Sequence, residues 1–462
     1  MDELPSHRGA VATAAGLVAG AFAAAVVLLA GTAGAVGTGA SGAAPVVEAT
    51  HLPPLLTLAD ERTELRYDIY CVPLGEDVAS DVCDASGTVF ARAGDAGPFQ
   101  SYPLHLDPKA SEGRYVTTLP DEVAHSDNGF SYYAVLSDTA SGAATTLPSG
   151  GAKAPERSLP MERPIAVRLG AHRFGAVRRP DSRVVSVAWG DGAADAGLEQ
   201  GRNLTPIGGA AFDVHGGSVW LLDEAHKRVL RWRENGGSPT QVPVDVNGTL
   251  ADMSVAADGT IYVLESTASP GRAPLLRAFG PEGHLLSAGE VADPTTSDVR
   301  IGPEGPVVLE QGSDQWLDAA RNRQVLSPTV QASSGHAGRR LLGGDEVTVL
   351  RRGNELRASL VAPNGTGRSW DITSATPLAE VQLAEPLGNA LVVVARVYTD
   401  SADEFVALEL GGKGVVRAFS LDSADWAETA PLSRFRLSGS SLYQLGSTAT
   451  GLFIDRFDLG VK

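Results

Sequence analysis

The sequence predicts an all-β ectodomain, a small β-sandwich followed by a six-bladed β-propeller, after one N-terminal transmembrane helix. Three observations predict this fold: a long uncharged apolar segment near the N-terminus, short alternating apolar runs over 57–160, and an apolar strand that recurs at a nearly constant interval over 161–462. A chain of 462 residues has room for two or three domains. With 43% hydrophobic and 20% charged residues, it has the composition of a folded protein.

The N-terminal segment predicts the cellular location. Its apolar run over 10–36 is 27 residues long, which is enough to span a bilayer of about 30 Å. Arg8 precedes this run and the next basic residue is Arg62, so the positive-inside rule places the N-terminus in the cytoplasm and residues 37–462 outside it, at the cell envelope. We therefore expect these segments: cytoplasmic N-terminus 1–8, transmembrane anchor 9–36 and flexible linker 37–56. A cleaved signal peptide, with a site at 33–35, and a buried Ala-rich helix are the alternatives.

The cysteine content agrees with export. Cys71 and Cys83 are the only cysteines, and they lie close together in the sequence. In an oxidising compartment such a pair favours a disulfide over two free thiols. We therefore predict a structural Cys71–Cys83 disulfide, which would stabilise the fold by about 3 kcal/mol on the chain-entropy estimate.

Residues 57–160 alternate in the manner of half-buried strands, with no helical period. The segment 131–148 is typical of a hairpin whose turn lies between Asp138 and Gly142. Several short runs separated by turn residues indicate a small antiparallel sandwich, and the late hairpin loosely resembles that of immunoglobulin-like and fibronectin-type modules. The Pro-rich segment 152–164 separates this domain from the next, which we expect to cover 161–462.

The second domain contains an internal repeat. The strand 218–224 is followed by a similar strand at 260–266, 42 residues later, and by another at 306–311, after 45 more. Comparable strands continue at 347–352, 391–397 and 441–447. This spacing is typical of four-stranded propeller blades. We predict six blades, with seven as the alternative, and expect strand 183–190 to complete the last blade and so close the ring.

The first repeat, 189–232, resembles the NHL-repeat pattern. That pattern runs from a Pro-x-Gly turn into an Ala-x-Asp strand, then through a Gly turn and a strand closed by Asp to an Arg-Val strand. The matching residues are Pro206, Gly208, Ala211, Asp213, Gly217, Asp223, Arg228 and Val229. The resemblance implies an NHL-like propeller.

Propellers place ligands at one mouth of the central channel, so channel residues are the candidates for chemistry. Asp213, Asp252 and Glu310 lie in or beside predicted strands and are candidate ligands for a divalent metal, although Asp213 and Asp223 occupy repeat positions that brace turns. The histidines of this domain lie in turns and loops, which does not favour a zinc site. The sequence contains no nucleophile elbow, HExxH, P-loop or EF-hand motif. We therefore predict no catalytic residues and no cofactor.

The net charge of −18 disfavours nucleic acid as a partner. The favoured function is a membrane-anchored binding or scaffolding module whose propeller face contacts a protein or a cell-envelope polysaccharide. An extracytoplasmic propeller enzyme of metal-dependent lactonase or lyase type is the alternative, and a sensor that signals through a partner protein is a third. Six tryptophans offer either a stacking platform for sugars or packing between blades: Trp189, Trp220, Trp232, Trp316, Trp370 and Trp426.

Overall fold

The computed structural model describes the following ranges: 46–51, 56–58, 61–72, 84–108, 113–148, 150–161, 163–200, 205–234, 236–247, 250–265, 274–292, 296–310, 315–332, 335–336, 338–352, 354–363, 366–423, 425–430 and 433–460. The predicted cytoplasmic segment 1–8 and transmembrane anchor 9–36 lie outside these residues. Cys83 does as well, so the Cys71–Cys83 disulfide stays a prediction. Within the described ranges, no helix is both long enough and apolar enough to cross a bilayer.

The first ten strands form two sheets. The strands are β1 (Val46–Thr50), β2 (Leu56–Leu58), β3 (Glu64–Val72), β4 (Ala85–Ala93), β5 (Gln100–Pro103), β6 (His105–Leu106), β7 (Arg114–Thr118), β8 (Phe130–Asp138), β9 (Ala144–Leu147) and β10 (Glu156–Met161), with a short helix α1 (Asp121–Ala124) and a 3-10 turn (Gly151–Lys153). One sheet has the order β1-β3-β7-β6, and the other has the order β2-β10-β8-β4-β5 with β9 beside β8.

The two sheets share one hydrophobic core, and this core follows the predicted alternation. Alternate residues of β3 and β8 are buried because successive side chains of a strand point to opposite faces. Phe90 and Tyr133, on the other face of the second sheet, stack at 5.0 Å between ring centres. The predicted hairpin is confirmed, since β8 pairs antiparallel with β9. The buried residues that belong to the two alternating sets are Leu65, Tyr67, Ile69, Phe130, Tyr132, Ala134 and Leu136.

A strand replaces part of the segment 37–56 that the sequence predicts to be a flexible linker. Val46–Thr50 pairs antiparallel with β3. Val47 and the following His51 are buried, and the His51 ring stacks on Tyr67 with 4.2 Å between ring centres. Burial lowers the pKa of His51 to about 4, so its ring is neutral in the core. Five residues are too few to show a period in the sequence, which is why the pattern does not reveal this strand.

The remaining strands are β11 (Ile165–Arg168), β12 (Ser182–Ala188), β13 (Ala211–His215), β14 (Ser218–Asp223), β15 (Arg228–Arg233), β16 (Thr240–Pro243), β17 (Asp252–Val255), β18 (Ile261–Glu265), β19 (Leu275–Phe279), β20 (Leu285–Glu290), β21 (Val299–Gly302), β22 (Gly305–Glu310), β23 (Gln315–Asp318), β24 (Ala320–Arg321), β25 (Gln324–Val325), β26 (Gly335–His336), β27 (Arg339–Arg340), β28 (Glu346–Arg352), β29 (Glu355–Val361), β30 (Gly367–Thr373), β31 (Leu378–Leu387), β32 (Ala390–Tyr398), β33 (Asp403–Gly411), β34 (Gly414–Asp422), β35 (Phe435–Ser438), β36 (Ser441–Thr448) and β37 (Gly451–Asp458). A 3-10 turn (Glu224–His226) follows β14, and helix α2 (Pro328–Ala332) follows β25.

These strands form successive sheets, which we number along the chain: sheet 1 (β13 to β16), sheet 2 (β17 to β20), sheet 3 (β21, β22, β23 and β26), sheet 4 (β27 to β30), sheet 5 (β31 to β34) and sheet 6 (β35 to β37). Strands β24 and β25 form a separate small hairpin. Each of the six strands predicted from the repeat is the second strand of its own sheet. The turn from β13 to β14 is Gly216-Gly217, with φ of 58° and 67°, a conformation that glycine adopts without strain.

The sheets follow one another around a closed ring. The first strand of sheet 1 contacts the first strands of both sheet 2 and sheet 6, and the other neighbours also touch. Hydrophobic clusters fill the spaces between neighbours, for example between sheets 1 and 2 and between sheets 4 and 5. A single sheet cannot bury both of its faces, so stacking around an axis supplies the missing contacts. This arrangement is a β-propeller, as the sequence predicts.

Two strands from early in this domain are added to the edges of late sheets. Strand β12 pairs antiparallel with β37, which confirms the predicted ring closure through sheet 6. Strand β11 pairs parallel with β30 at the outer edge of sheet 4, and the sequence does not reveal this pairing. The chain therefore crosses the outside of sheets 4 to 6 before it enters sheet 1.

Candidate functional site

The innermost strands carry charged side chains that meet at the centre of the ring. Asp213 lies on β13, Asp252 on β17, Arg300 on β21 and Arg436 on β35. Asp298 directly precedes β21. All of these side chains are at least 85% buried. We refer to these five residues as the central ionic network.

Hydrogen bonds from two arginines, a serine and a backbone N–H group hold Asp252 in this network. Its carboxylate accepts hydrogen bonds from Nη1 of Arg300 at 2.5 Å, from Nη2 of Arg436 at 3.1 Å and from the backbone N–H of Val299 at 2.9 Å. The hydroxyl of Ser433 donates a further hydrogen bond. Burial acts to raise the pKa of Asp252, but the two guanidinium groups outweigh it and the pKa is lowered. Asp252 is therefore an ionised carboxylate whose oxygens are already occupied.

Asp213 braces two neighbouring inner strands. Its carboxylate accepts hydrogen bonds from its neighbour Val214 N–H at 2.7 Å, from Val255 N–H at 2.7 Å and from the Ser254 hydroxyl at 3.2 Å. Nε of Arg436 lies 4.0 Å away. These contacts join β13 to β17, which is the bracing role that the repeat position predicts for this residue.

Asp298, Arg300 and Arg436 are members of the site that the sequence does not reveal. The Asp298 side chain is fully buried, its Oδ2 accepts a hydrogen bond from the Ser297 hydroxyl at 2.6 Å, and its Oδ1 lies 4.0 Å from Nη2 of Arg300. Burial, and then the negative charge of Asp252, raise the pKa of Asp298 to about 7. In the sequence, the only signal is a pair of opposite charges at 298 and 300, beside a predicted strand.

A cavity of about 170 Å³ lies next to this network, between sheets 3, 4 and 5. Arg300 is a member of the central ionic network and also lines the cavity. Nη2 of Arg339 donates to the carbonyl oxygen of Ala384 at 2.9 Å and lies 2.7 Å from Oε1 of Glu385. The Arg339 guanidinium carbon also lies 5.5 Å from the centre of the Trp316 ring. The cavity is lined by Arg300, Leu309, Trp316, Arg339, Val347, Thr348, Val349, Val381, Gln382, Leu383, Ala384 and Glu385.

Glu310, the third predicted metal-ligand candidate, lies on the second strand of sheet 3 and not on an innermost strand. It ends β22 at the position that Asp223 holds in β14 and Glu265 holds in β18. Asp223 shows what this position does, because it accepts hydrogen bonds from Arg228 Nε at 2.8 Å and from the N–H of Gly197 at 3.0 Å. At this position Asp223 braces a loop.

The described residues include no group of three or more His, Cys, Asp and Glu side chains arranged to hold a metal ion. His226, for example, lies with Nδ1 2.8 Å from Asp223, where it supports the same loop. Among the tryptophans, Trp220, Trp232 and Trp370 are buried between sheets. Trp189 and Trp426 are half-buried, with 6.3 Å between their ring centres, and Trp316 is half-buried as well.

No protein-family model matches the chain, and no curated protein does. Among solved structures, the chain is similar to a catalytically inactive virginiamycin B lyase from Staphylococcus aureus, with 12% identity and a TM-score of 0.33, over 59% of this chain and 98% of that chain. It is also similar to YCF48 from Cyanidioschyzon merolae, with 12% identity and a TM-score of 0.31, over 59% of this chain and 97% of that chain. With TM-scores this low, these likenesses add no argument about ligand or activity.

Proposed function

We propose that this protein is a membrane-anchored, extracytoplasmic binding module: an NHL-like propeller of six blades, one per sheet, preceded by a β-sandwich. We further propose that the cavity between sheets 3, 4 and 5 is its ligand site. One observation carries this proposal: the lining of a cavity of about 170 Å³ combines charged and polar groups with aliphatic side chains. Ligand sites combine an apolar lining with a few placed polar groups in this way.

The neighbouring ionic network supports binding over metal-dependent catalysis. A metal at Asp213 or Asp252 would have to displace hydrogen bonds from backbone N–H groups, and at Asp252 it would also displace two guanidinium groups. Two arginines already compensate the negative charge of Asp252, so its carboxylate does not need a metal cation to neutralise it. The same network makes the wall beside the cavity rigid, which favours recognition of a ligand by a preformed site.

The binding role can be tested on the full-length protein in detergent. We would dialyse it against a low-molecular-mass extract of its source cells and identify retained molecules by native mass spectrometry. The variant Val349→Phe fills the cavity, and Val416→Phe, at a residue that is 61% exposed on β34, is the matched control. We expect wild type and Val416→Phe to retain the same small molecule and Val349→Phe to lose it. Equal retention by all three proteins, or retention by none, would contradict the proposal.

The proposed location has its own test. We expect the full-length protein to fractionate with membranes and to be digested by protease added to intact cells after removal of the outer layers of the envelope. A variant that lacks 1–36 should not be exported. Protection from external protease in the full-length protein would contradict the extracytoplasmic location.

A further inference from the structure

Two oppositely charged side chains that line the cavity, Arg339 and Glu385, have hydrogen-bonding atoms without a partner among the described residues. Arg339 is 91% buried at its side chain and uses Nη2 for its contacts with Ala384 and Glu385. Among the described residues, neither Nε nor Nη1 of Arg339 has a hydrogen-bond partner, and neither does Oε2 of Glu385. The wall therefore offers donors with positive charge beside an acceptor with negative charge.

The charged groups that line the cavity are already paired. Arg339 pairs with Glu385, with 2.7 Å between Nη2 and Oε1. Arg300 pairs with Asp252 of the central ionic network, with 2.5 Å between Nη1 and Oδ2. A ligand with a net charge would leave that charge uncompensated in a buried site, which is costly. A ligand with both charges and no net charge has no such cost.

Aliphatic side chains also line the cavity, and its volume limits the size of the ligand. They are Leu309, Val347, Val349, Val381 and Leu383, and Trp316 lines the cavity as well. An apolar cavity of about 150 Å³ can hold one benzene molecule, so the 170 Å³ here suits a ligand with a short branched hydrocarbon group.

We infer that the cavity binds a small zwitterion, an α-amino acid with an aliphatic side chain. Its carboxylate pairs with the free edge of Arg339, its ammonium group pairs with Glu385, and its hydrocarbon group packs against the valines that line the cavity. Thr348 and Gln382 add a hydroxyl and an amide to the lining. This inference rests on the proposed function, because it names the ligand class of the same site.

The test uses four probes that share a branched hydrocarbon group: valine, isovalerate, isobutylamine and isobutanol. Binding to the full-length protein is measured by calorimetry and by the emission of Trp316, with Trp316→Phe identifying that signal. We expect valine to bind more than about tenfold tighter than each of the others, since each of them lacks at least one charged hydrogen bond.

Two variants test which residue binds the carboxylate and which binds the ammonium group of valine, and a third variant is the control. Arg339→Leu should lose valine binding, and Glu385→Gln should remove the preference for valine over isovalerate. Arg340→Leu changes the neighbouring residue of the same strand, which is exposed and pairs with Glu346, and should bind valine as wild type does. Isovalerate or isobutanol binding as tightly as valine would overturn the zwitterion inference and leave the proposed function intact. Failure of all four probes would also overturn it, and the extract experiment would then decide the proposed function separately.

Discussion

Nη2 of Arg436 lies 3.1 Å from Oδ1 of Asp252, and these two residues are 184 positions apart in the sequence. Arg436 belongs to sheet 6 and Asp252 to sheet 2, so this contact joins two sheets that are not neighbours in the ring. Sheet 1 lies between them, and its Asp213 is 4.0 Å from Nε of the same guanidinium. One buried arginine therefore ties together the three sheets around the point where the ring closes.

The substitution Arg436→Met should strongly destabilise the protein. The fully buried carboxylate of Asp252 would then keep only one of its two arginine partners. Breaking a buried ion pair in this way costs about 3 kcal/mol or more. Urea unfolding followed by circular dichroism measures the change in the free energy of unfolding. Arg323→Met is the control, because Arg323 pairs with Asp258 at a site where its side chain is 49% exposed, and exposed pairs contribute little. Similar losses for the two variants would contradict the role of the network.

The stability of the fold should depend on the protonation of Asp298. The pKa of the Asp298 carboxyl is about 7 in the folded protein, whereas an aspartate in the unfolded chain has the ordinary pKa of 3.8. Between these values the folded protein binds a proton that the unfolded chain has released, so its stability falls as the pH rises from about 4 to about 7. Above pH 7 the contribution is lost. Below pH 4 it is fully present.

The variant Asp298→Asn isolates this effect. An amide cannot ionise, so the difference in unfolding free energy between wild type and variant should change across pH 4 to 7 and be constant above it. Glu224, whose pKa burial also raises to about 7, titrates in both proteins and cancels in the difference. Parallel pH profiles for the two proteins would show that Asp298 does not titrate in this window.

Asp223→Ala should destabilise the loop that precedes sheet 1. The Asp223 side chain is 1% exposed and accepts hydrogen bonds from Arg228, His226 and Gly197, so its removal leaves a buried guanidinium without its carboxylate. We expect a loss of about 3 kcal/mol in thermal or urea unfolding. Asp191→Ala is a matched control, because Asp191 contacts the same His226 at 3.4 Å from a fully exposed position. It should leave the stability unchanged, and an equal loss there would argue against the bracing role.

Divalent metals should not stabilise the protein. We expect the same melting temperature with calcium, zinc, manganese or chelator, because arginines and N–H groups already occupy the oxygens of Asp213 and Asp252. A metal at about a hundred times its dissociation constant would add about 2.7 kcal/mol, which a thermal-shift assay detects. A rise that chelator reverses and that Asp252→Asn abolishes would instead favour the lactonase or lyase alternative.

Much of the architecture is visible in the sequence because it depends on local periodicity. Alternation over 218–224 and 260–266 predicts strands that are now the second strands of sheets 1 and 2, and the repeat interval predicts their succession. The assignment of β12 to the last sheet also follows, because an incomplete unit at the start of a ring needs partners from its end. Likewise, the position of Asp223 in the repeat predicts its bracing role.

The composition of the central site depends on ring closure, which no local pattern encodes. By themselves, Asp298, Arg300 and Arg436 are charged residues on or beside short strands, and nothing in their neighbours distinguishes them from residues that face solvent. Strand β11 is equally hidden, since its four residues pair in parallel with residues 205 positions later in the sequence. The sequence alone determined the strands, their interval and the closing strand, because these are set by side chains a few residues apart. Only the tertiary structure decided which acids meet which arginines, because that depends on how six sheets converge on one axis.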